Sequence, residues 1–478
     1  MRSLLVLTIA LGACAAPGQD GSAGGPLSLH PDNPRVFSWR GRPTLLITSA
    51  EHYGAVLNLD FDYAAYLKTL QADGMNHTRL FAGTYREIPG SFGITDNTLA
   101  PHPGRYVCPW ARSETPGYAQ GGNKFDLSKW DEAYFARLKG FLQLADRCGV
   151  VIELNLWCPN YDENLWRASP MHAANNVNGA GACGREEVYT LKHKDLLEIQ
   201  ERCTRKLVQE LNAFDNLFYE VCNEPYFAGV TLEWQHRIVD VIHDTEKALP
   251  KKHLVSMNIA NGRAKVEKPH PGVSIFNFHY CVPPDVVAMN WGLRKPIGEN
   301  ETGFRGKDDV LYRTEAWEFI LAGGALYNNL DYSFTAKNAT GTFLDYKSPG
   351  GGSPALRKQL RILKDFMEAF DFVRMAPDAT IVRKVDAGLG VRALSEPGRQ
   401  VALYLHQPLP AKGPLRRERK EIRASLAFEL PAGAWRLRWV DTKTGEAAGT
   451  EDFSHAGGEK TLESPAFSED LALSVVRR

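Results

Sequence analysis

The sequence predicts an α/β fold, a (β/α)8 barrel followed by a small antiparallel β-sandwich. Over residues 41–375, apolar runs of strand length alternate with segments of helical spacing, which is typical of a parallel sheet covered by helices. Over residues 377–478 the runs are short, have period two and are separated by turn residues, which is typical of a sandwich. No glycine-rich phosphate loop follows the first strand, which disfavours a doubly wound open sheet.

The first 18 residues have the pattern of an export signal, with a positive charge, an apolar run and then small residues. Leu11 to Cys14 also resembles a bacterial lipobox, in which Cys14 would be lipidated, while plain cleavage within residues 13–16 is the competing interpretation. We therefore expect an exported protein that is extracellular, periplasmic or an outer-membrane lipoprotein, with residues 19–40 as linker and lead-in. No later run of 18 apolar residues occurs, so no transmembrane span is expected.

Charge and cysteine content limit the possible partners. The 56 basic and 56 acidic residues balance, so there is no basic field to attract nucleic acid, and a neutral carbohydrate is compatible with this charge. The cysteines beyond Cys14 contain no CxxC pair, which argues against a zinc site, and their odd number leaves at least one free thiol. Cys158 and Cys183 flank one loop region and could form a disulfide.

The predicted barrel strands are apolar runs that end in polar or turn residues. In chain order they are residues 44–48, 75–81, 150–157, 217–222, 253–258, 273–278, 296–301 and 325–330. Helical spacing predicts helices at 133–147, 190–213, 232–248, 310–322 and 356–372, and a first helix that is capped by Asp60 and stops at Gly74. Long loops follow the second and third strands, and ordered loops of this length usually carry function.

Smaller elements flank the barrel. Residues 35–41 predict a short strand and turn beneath it. Beyond the barrel, the period-two runs predict strands at 380–382, 390–394, 401–405, 425–430, 435–440 and 471–476. This sandwich either binds sugar or supports the barrel, and support is our expectation.

The fourth predicted strand ends in Asn223-Glu224-Pro225, and the functional interpretation starts from this motif. The strand is apolar and aromatic, as expected for a strand buried on both faces, and Pro225 ends its hydrogen bonding. Glu224 therefore lies where a buried strand opens into a loop, at the rim where parallel barrels carry their catalytic groups. A carboxylate that only caps a neighbouring helix is the alternative.

The motif resembles the acid/base motif of the clan A glycoside hydrolases, the cellulase-like retaining barrels, and the resemblance covers about residues 40–375. It implies that Asn223 holds the sugar 2-hydroxyl and that Glu224 protonates the leaving oxygen and then acts as base. The implied substrate is a poly- or oligosaccharide, and the implied chemistry needs no cofactor and no metal. Residues 431–433, which lead into a Trp-rich strand, resemble the C-terminal sandwich modules attached to such barrels.

The resemblance also implies a second carboxylate on the seventh strand. Residues 295–303 contain Lys-Pro followed by Glu-x-Gly, similar to the nucleophile pattern of the clan, so Glu301 is the expected nucleophile. Retention needs two carboxyl groups about 5–5.5 Å apart, one protonated and one ionised. Glu299 is the rival: two residues earlier on a strand, it would face the same way roughly 6.6 Å deeper in the barrel, and we include it among the substrate-binding candidates.

Further candidates follow from their positions. Arg79 ends the second strand, where the clan keeps an arginine beside the nucleophile, and its charge would hold Glu301 ionised. His279-Tyr280 resembles the His-x-Tyr of the clan, but here Tyr280 directly follows the histidine and Cys281 occupies the usual place of the tyrosine. The other expected sugar contacts lie at strand ends or in rim loops and are His52, Trp157 and Trp166.

Two other functions are consistent with the sequence. The departure at Cys281 favours a non-catalytic carbohydrate-binding surface protein on a degenerate barrel. A metal-dependent barrel hydrolase would need a His-x-His cluster after the first strand, where only Glu51-His52 occurs. A metal-free retaining glycosidase is the function that the sequence favours most.

Overall fold

The computed structural model of the protein describes residues 24–386, 388–409 and 420–478. The predicted export signal, with the lipobox and Cys14, lies outside the described residues. Within them, no helix combines the length and the apolar character that crossing a bilayer requires.

The barrel is a parallel sheet of eight strands, as the sequence predicts. From the second strand to the eighth, each strand pairs with the next one in the chain, and the eighth pairs with the first. The predicted bounds agree with the observed ones to within three residues. The strands are Leu46–Ala50, His77–Phe81, Val151–Trp157, Leu217–Cys222, Val255–Asn261, Ile275–His279, Ile297–Thr302 and Leu326–Leu330.

A side chain joins the first and second strands, which lie at the two ends of the ladder order. The Asn76 amide accepts a hydrogen bond from the backbone N–H of Ile47 at 2.9 Å and donates one to the Leu45 carbonyl at 2.8 Å. An asparagine amide carries the same donor and acceptor groups as a peptide unit. Asn76 therefore replaces a ladder pair at the seam of the barrel.

Helices cover the outside of the barrel at most connections. The main ones are Tyr63–Ala72, Glu132–Arg147, Lys194–Leu211, Leu232–Lys247, Asp285–Asn290, Asp309–Leu321 and Pro354–Glu368, and a short helix, Glu163–Ala168, lies in the loop after the third strand. The sequence predicts a helix at every connection, and this is wrong between the fifth and sixth strands, where residues 262–274 form a loop.

The first helix is capped by a different residue from the predicted one. Asp62 accepts hydrogen bonds from the backbone N–H groups of Ala64 and Ala65. Asp60, the expected cap, instead pairs with Arg105 at 2.5 Å. Both aspartates precede the helix, and the sequence alone does not show which one has the first-turn N–H groups within reach.

The lead-in forms a small antiparallel sheet beneath the barrel. Its strands are Ser28–Leu29, Phe37–Trp39 and Arg42–Thr44. Leu27 donates a backbone hydrogen bond to Asp215 just before the fourth barrel strand, and the Phe37 ring stacks on Phe218 within it. The predicted strand and turn at residues 35–41 therefore lie where expected, under the N-terminal ends of the barrel strands.

The C-terminal region is a sandwich of two antiparallel sheets. The larger sheet has the strand order Ala376–Pro377, Gly390–Glu396, Gln400–His406, Asp470–Arg477, Gly433–Val440 and Ala447–His455. The smaller sheet has the order Val382–Val385, Ser425–Leu430 and Gly458–Glu463. The predicted strands are present, and the polar strands Ala447–His455 and Gly458–Glu463 are additions whose weak apolar alternation conceals them.

The larger sheet of the sandwich packs on the barrel helix Asp309–Leu321. The Arg313 guanidinium donates twice to Asp470, at 2.9 and 2.7 Å, and both side chains are buried. Beside this pair, the Trp317 ring stacks on Tyr404 with 5.3 Å between ring centroids. A buried ion pair flanked by stacked rings suits a supporting role for the sandwich.

Candidate active site

Two carboxylates meet at the C-terminal mouth of the barrel. Glu224 is the second residue beyond the fourth strand, and Glu301 lies near the end of the seventh. His279, at the end of the sixth strand, has Nδ1 3.3 Å from one oxygen of Glu224 and 3.4 Å from one oxygen of Glu301. These three atoms lie within 4.8 Å of one another. Oxygens this close are compatible with the separation of about 5–5.5 Å between the carboxyl groups of retaining glycosidases.

Glu301 is surrounded by hydrogen-bond donors. Its Oε2 accepts from the Tyr53 hydroxyl at 2.8 Å and from Arg79 at 3.3 Å, and its Oε1 accepts from the Tyr280 hydroxyl at 2.6 Å. Burial raises the pKa of Glu301, but His279, Arg79 and Tyr280 more than offset this and hold the pKa well below its ordinary value. Glu301 is therefore ionised and fixed in orientation, as a carboxylate nucleophile needs to be.

His279 supplies the positive charge between the two carboxylates. Burial lowers the pKa of its imidazole, but Glu301 and Glu224 outweigh the burial and raise the pKa to about 9. The ring is therefore an imidazolium at neutral pH. Within the described ranges, Glu224, His279 and Glu301 are also the one group with ligand atoms close enough for a metal ion. In this group the imidazolium of His279 is itself the cation between the two carboxylates.

Two tyrosines hold Glu224. The Tyr161 hydroxyl donates to its Oε2 at 2.6 Å, and the Tyr226 hydroxyl lies 3.2 Å from its Oε1 and closer to the side-chain oxygen of Asn261. Tyr161 also accepts from the side-chain amide of Asn223 at 2.7 Å, so one hydroxyl links both polar residues of the motif. Glu224 itself is 7% exposed, which leaves its oxygens at the edge of the pocket.

The backbone is left-handed at three residues of the site. Tyr53 has φ +63°, Glu224 has φ +37° and Tyr280 has φ +54°. Non-glycine residues in this region cost about 1–3 kcal/mol each and concentrate at functional sites. At Tyr280 the turn explains how the tyrosine reaches Glu301 although it directly follows His279: the side chain swings back toward the barrel mouth. The departure from the His-x-Tyr spacing is thereby compensated.

Arg79 organises the floor of the site. Its guanidinium is fully buried and donates to Asn223 at 2.6 Å and to Glu220 at 2.7 Å, in addition to Glu301. Burial raises the pKa of Glu220 to about 8, although Arg79 opposes this. Asn300 bridges Glu220 to Glu153 deeper in the barrel, with 3.0 Å to each carboxylate. The polar interior of the barrel therefore holds Arg79 in position, and Arg79 in turn orients the Glu301 carboxylate.

Glu299 does not lie where the sequence places it. The pairing of the sixth and seventh strands shifts register between Phe278 and His279, so a β-bulge lies between Glu299 and Glu301. Glu299 turns away from the barrel interior and toward the outer helices. There its carboxylate accepts a hydrogen bond from the backbone N–H of Cys281 at 2.6 Å and meets Glu315 of the helix Asp309–Leu321. The expectation that Glu299 shares a face with Glu301 is wrong, because the bulge breaks the alternation.

A small pocket opens above the two carboxylates. Residues from the loops that follow six barrel strands line it: His52, Tyr53, Phe81, Tyr85, Glu87, Phe92, Leu99, Cys158, Tyr161, Asn223, Glu224, Tyr280, Glu301 and Phe304. His52 contacts Glu87 at 3.3 Å, and Tyr85 also donates to Glu87 at 3.3 Å. Polar groups are therefore available at the pocket wall opposite Glu224.

Two predicted sugar contacts lie away from the pocket. Trp157 is fully buried, packs against Trp110 and Trp234, and donates to Thr204. Trp166 is 1% exposed and donates to the Cys183 carbonyl. Both rings are core residues beneath the long loops, so the structure does not bring them to the two carboxylates.

Several pocket residues escape the sequence-based reasoning. Tyr53, Tyr161, Tyr226 and Glu87 each contact a polar residue of the site. Tyr53 directly follows the predicted site residue His52, and Tyr226 comes two residues after Glu224. This proximity in sequence is a signal that could have found them. Tyr161 and Glu87 come from long loops whose path over the barrel is not encoded in any short motif.

The seven cysteines of the described chain are all free thiols. The predicted disulfide between Cys158 and Cys183 is therefore wrong. The Cys158 sulfur lies on the pocket floor, 3.6 Å from the Asn223 amide and 3.7 Å from the Tyr161 hydroxyl. Loop proximity in sequence does not bring the two sulfur atoms together, because Cys158 ends a barrel strand and is held in the core.

Comparison with known proteins finds similarity at the level of structure. No protein-family model and no curated protein matches the chain. A candidate glycoside hydrolase from Bacteroides vulgatus superposes with a TM-score of 0.65 at 14% identity, over 97% of this chain and 84% of that one. A glycoside hydrolase family 5 protein from the same organism gives 0.62 at 12% identity, over 95% and 94%. A further glycoside hydrolase gives 0.61 at 14% identity, over 95% and 97%. Barrel and sandwich together thus have the fold of these glycoside hydrolases.

Proposed function

We propose that the protein is a retaining glycoside hydrolase that cleaves O-glycosidic bonds of a carbohydrate substrate by double displacement. The observation that carries the proposal is the pair Glu224 and Glu301, whose oxygens lie within 4.8 Å of each other across the protonated His279. Both carboxylates contact His279 and two tyrosine hydroxyls, and Glu301 in addition accepts from Arg79 and is held ionised. The arginine beside Glu301 suits this carboxylate to the role of nucleophile and leaves the role of acid to Glu224.

In the first step, a carboxylate oxygen of Glu301 attacks the anomeric carbon and forms a glycosyl ester. The bond to the leaving oxygen breaks, and Glu224 transfers its proton to that oxygen. In the second step, Glu224 takes a proton from water, the water oxygen attacks the anomeric carbon, and the ester bond to Glu301 breaks. The anomeric configuration is inverted twice and so retained.

The other polar residues take supporting roles in this proposal. Arg79, Tyr53 and Tyr280 orient Glu301 and stabilise it as the leaving group of the second step. Asn223 binds the sugar 2-hydroxyl, as the resemblance implies. The hydrogen bond from the Asn223 amide to the Tyr161 hydroxyl must therefore break when the sugar enters. His52 and Glu87 are placed to bind further hydroxyls. Trp157, Trp166 and Glu299 have no role in it, because their side chains are away from the pocket.

The export route is also a proposal. Residues 1–18 would direct the protein out of the cytoplasm, and lipidation of Cys14 would anchor it to a membrane. Mass spectrometry of the mature N-terminus separates the two cleavage sites, because a lipidated Cys14 adds the mass of its acyl chains.

The test of the two carboxylates is Glu224→Gln and Glu301→Gln with an aryl glycoside. Each variant loses hydrolysis by several orders of magnitude, and added azide restores turnover in both, giving a glycosyl azide of retained configuration from the Glu224 variant and of inverted configuration from the Glu301 variant. Glu299→Gln is the matched control and keeps its activity. Loss of activity with azide rescue in Glu299→Gln, instead of in Glu301→Gln, would contradict the assignment.

A further inference from the structure

The exposed apolar side chains of the protein are concentrated on one side of the barrel. The large hydrophobic residues with the highest exposure all lie on loops that follow barrel strands at their C-terminal ends, around the active-site mouth: Phe92, Val177, Leu191, Tyr226, Phe227, Val282, Phe304 and Leu344. Among the residues that the structure describes, the sandwich and the opposite face of the barrel contribute none of this set. Clustered apolar exposure marks a binding surface, whereas single exposed residues do not.

Three of these side chains pack against the rings of tyrosines that contact the two carboxylates, and a fourth, Tyr226, contacts Glu224 itself. The rings of Phe92 and Phe227 pack edge-on against Tyr161, with centroid distances of 5.4 and 5.8 Å, and Tyr161 donates to Glu224. The Phe304 ring packs edge-on against Tyr280 at 5.8 Å, and Tyr280 donates to Glu301. Tyr226 packs on Phe227 and contacts Glu224. We call Phe92, Tyr226, Phe227 and Phe304 the apolar rim.

Polar and apolar groups of the pocket lie at different depths. The polar side chains of the pocket that could bind a sugar are buried: His52 is 9% exposed, Glu87 is 2% exposed and Asn223 is 3% exposed. The rim is open, with Phe92 44% exposed and Phe304 43%. The buried wall offers hydrogen bonds to one sugar ring, and the rim, apart from the Tyr226 hydroxyl, offers aromatic surface to whatever leaves.

We propose that the substrate is an amphiphilic glycoside whose sugar lies on the pocket wall and whose leaving group is an apolar chain that lies on the apolar rim. This inference rests on the proposed function. It replaces the polysaccharide that the resemblance implies with a glycoside of a long-chain alcohol as the substrate. A polysaccharide would need several polar partners for the hydroxyls of the leaving sugar, and the four side chains of the rim supply one, the Tyr226 hydroxyl, which already contacts Glu224 and Asn261. An apolar chain gains from burial against the rim with no polar group left unpaired.

The test is a chain-length series of alkyl glycosides, from propyl to octyl, below the concentration at which they form micelles. The sugar is the one that gives the highest turnover as an aryl glycoside. Leaving-group acidity is nearly constant along the series, so a change in kcat/KM reports binding of the chain. We expect kcat/KM to rise by about two- to fourfold for each added methylene, the range expected for partial to full burial of a methylene.

Variants of the rim separate the chain from the chemistry. Phe92→Ser and Phe304→Ser are expected to flatten the chain-length dependence, so that the ratio of kcat/KM for the octyl glycoside to kcat/KM for the propyl glycoside falls toward one. This ratio is the readout because both rings line the pocket, and each variant is thereby its own reference for any change in the chemical step. Leu191→Ser is the matched control, because Leu191 is 46% exposed but is not a pocket residue, and it should keep the full dependence.

Three results would overturn the inference and are distinguishable from failure of the proposed function. A flat series in the wild-type protein, or a disaccharide hydrolysed faster than the octyl glycoside, contradicts an apolar leaving group while leaving a glycosidase. Binding to phosphatidylcholine vesicles that Phe92→Ser and Phe304→Ser abolish, with a flat series, makes the rim a membrane contact instead. Absence of hydrolysis of every glycoside contradicts the proposed function itself.

Discussion

At the level of single residues, the ionisation of Glu301 depends on the groups that surround it. Tyr280 donates to this carboxylate at 2.6 Å and contributes to its lowered pKa, which His279 and Arg79 lower further. A hydrogen bond to a charged group contributes about 1.5–3 kcal/mol. In the proposed mechanism Glu301 must be a carboxylate to attack and must become one again when the glycosyl ester is hydrolysed, so its donors would act in both steps.

Tyr280→Phe tests this dependence. Without the hydroxyl, the pKa of Glu301 rises, so the acid limb of the kcat/KM profile moves to higher pH, and kcat falls about 10- to 100-fold because the carboxylate is a poorer leaving group. Tyr134→Phe is the control, since its hydroxyl donates to the Ala82 carbonyl away from the pocket. An acid limb that stays in place in Tyr280→Phe would contradict the role given to this hydroxyl.

Residue types and their neighbours in sequence predict only part of this site. Asn223-Glu224-Pro225 follows from a strand end, and Glu301, Arg79 and His279 follow from the resemblance. Tyr161 is not predictable in the same way, because it reaches Glu224 from a loop whose course depends on long-range packing. Buried tryptophans were misassigned for the opposite reason: a Trp at a strand end suits a sugar platform and a core equally well.

At the level of elements, the strands are the best-predicted part of the chain. A buried parallel strand is a continuous apolar run, and each of the eight runs became a strand. The bulge in the seventh strand is not visible in sequence, because a bulge is a property of the pairing with the neighbouring strand. It turns Glu299 outward and leaves Glu301 at the mouth, and so it decides which of the two carboxylates lies beside Glu224.

The seam between the first and second strands gives a test at the same scale. Asn76→Ala removes the two hydrogen bonds that link these strands, and leaves a backbone N–H and a carbonyl without partners. The free energy of unfolding should fall by about 1–3 kcal/mol, measured by urea denaturation. Asn164→Ala, on an exposed position of the helix Glu163–Ala168, should change it by less than about 0.5 kcal/mol. Equal effects would mean that Asn76 does not join the strands.

At the level of the whole molecule, buried ionisable groups make stability depend on pH. Burial raises the pKa of Glu51 to about 7 and of Glu220 to about 8, and the two carboxylates raise that of His279 to about 9 against the effect of burial. Each group keeps its proton in the folded state at a pH where the unfolded chain has lost it. The folded state therefore binds more protons, and the free energy of unfolding falls as pH rises.

The expected pH dependence has a defined window. The His279 contribution is complete below pH 6.5, its unfolded pKa, and is lost as pH rises through about 9, a change of about 3 kcal/mol. Urea denaturation at pH 6 to 10 should show stability falling over this window, with a smaller slope in His279→Asn and Glu220→Gln. Stability that is constant or rises across the window would contradict the protonated state of these groups.

The sandwich completes the molecule through the Arg313–Asp470 pair and the Trp317–Tyr404 stack. The sequence predicts its strands by period two but not the surface that it presents to the barrel, because one arginine on a helix gives no sign of its distant partner. The barrel helix at this interface also carries Glu315, which meets Glu299 behind the seventh strand. The sandwich thus packs on the helix that lies behind the seventh strand, the strand that carries Glu301.

The central claim, that Glu301 attacks the anomeric carbon, is tested most directly by trapping the glycosyl-enzyme with a 2-deoxy-2-fluoro glycoside. The fluorine slows both steps because both have an oxocarbenium-like transition state, and an activated leaving group such as dinitrophenolate restores the rate of the first step, so the covalent intermediate accumulates. Peptide mapping by mass spectrometry should find the fluoro-sugar on the peptide that contains Glu301, and fragmentation should place it on that side chain. A label on Glu299, or no label while hydrolysis of the ordinary glycoside gives the inverted product, would contradict the account.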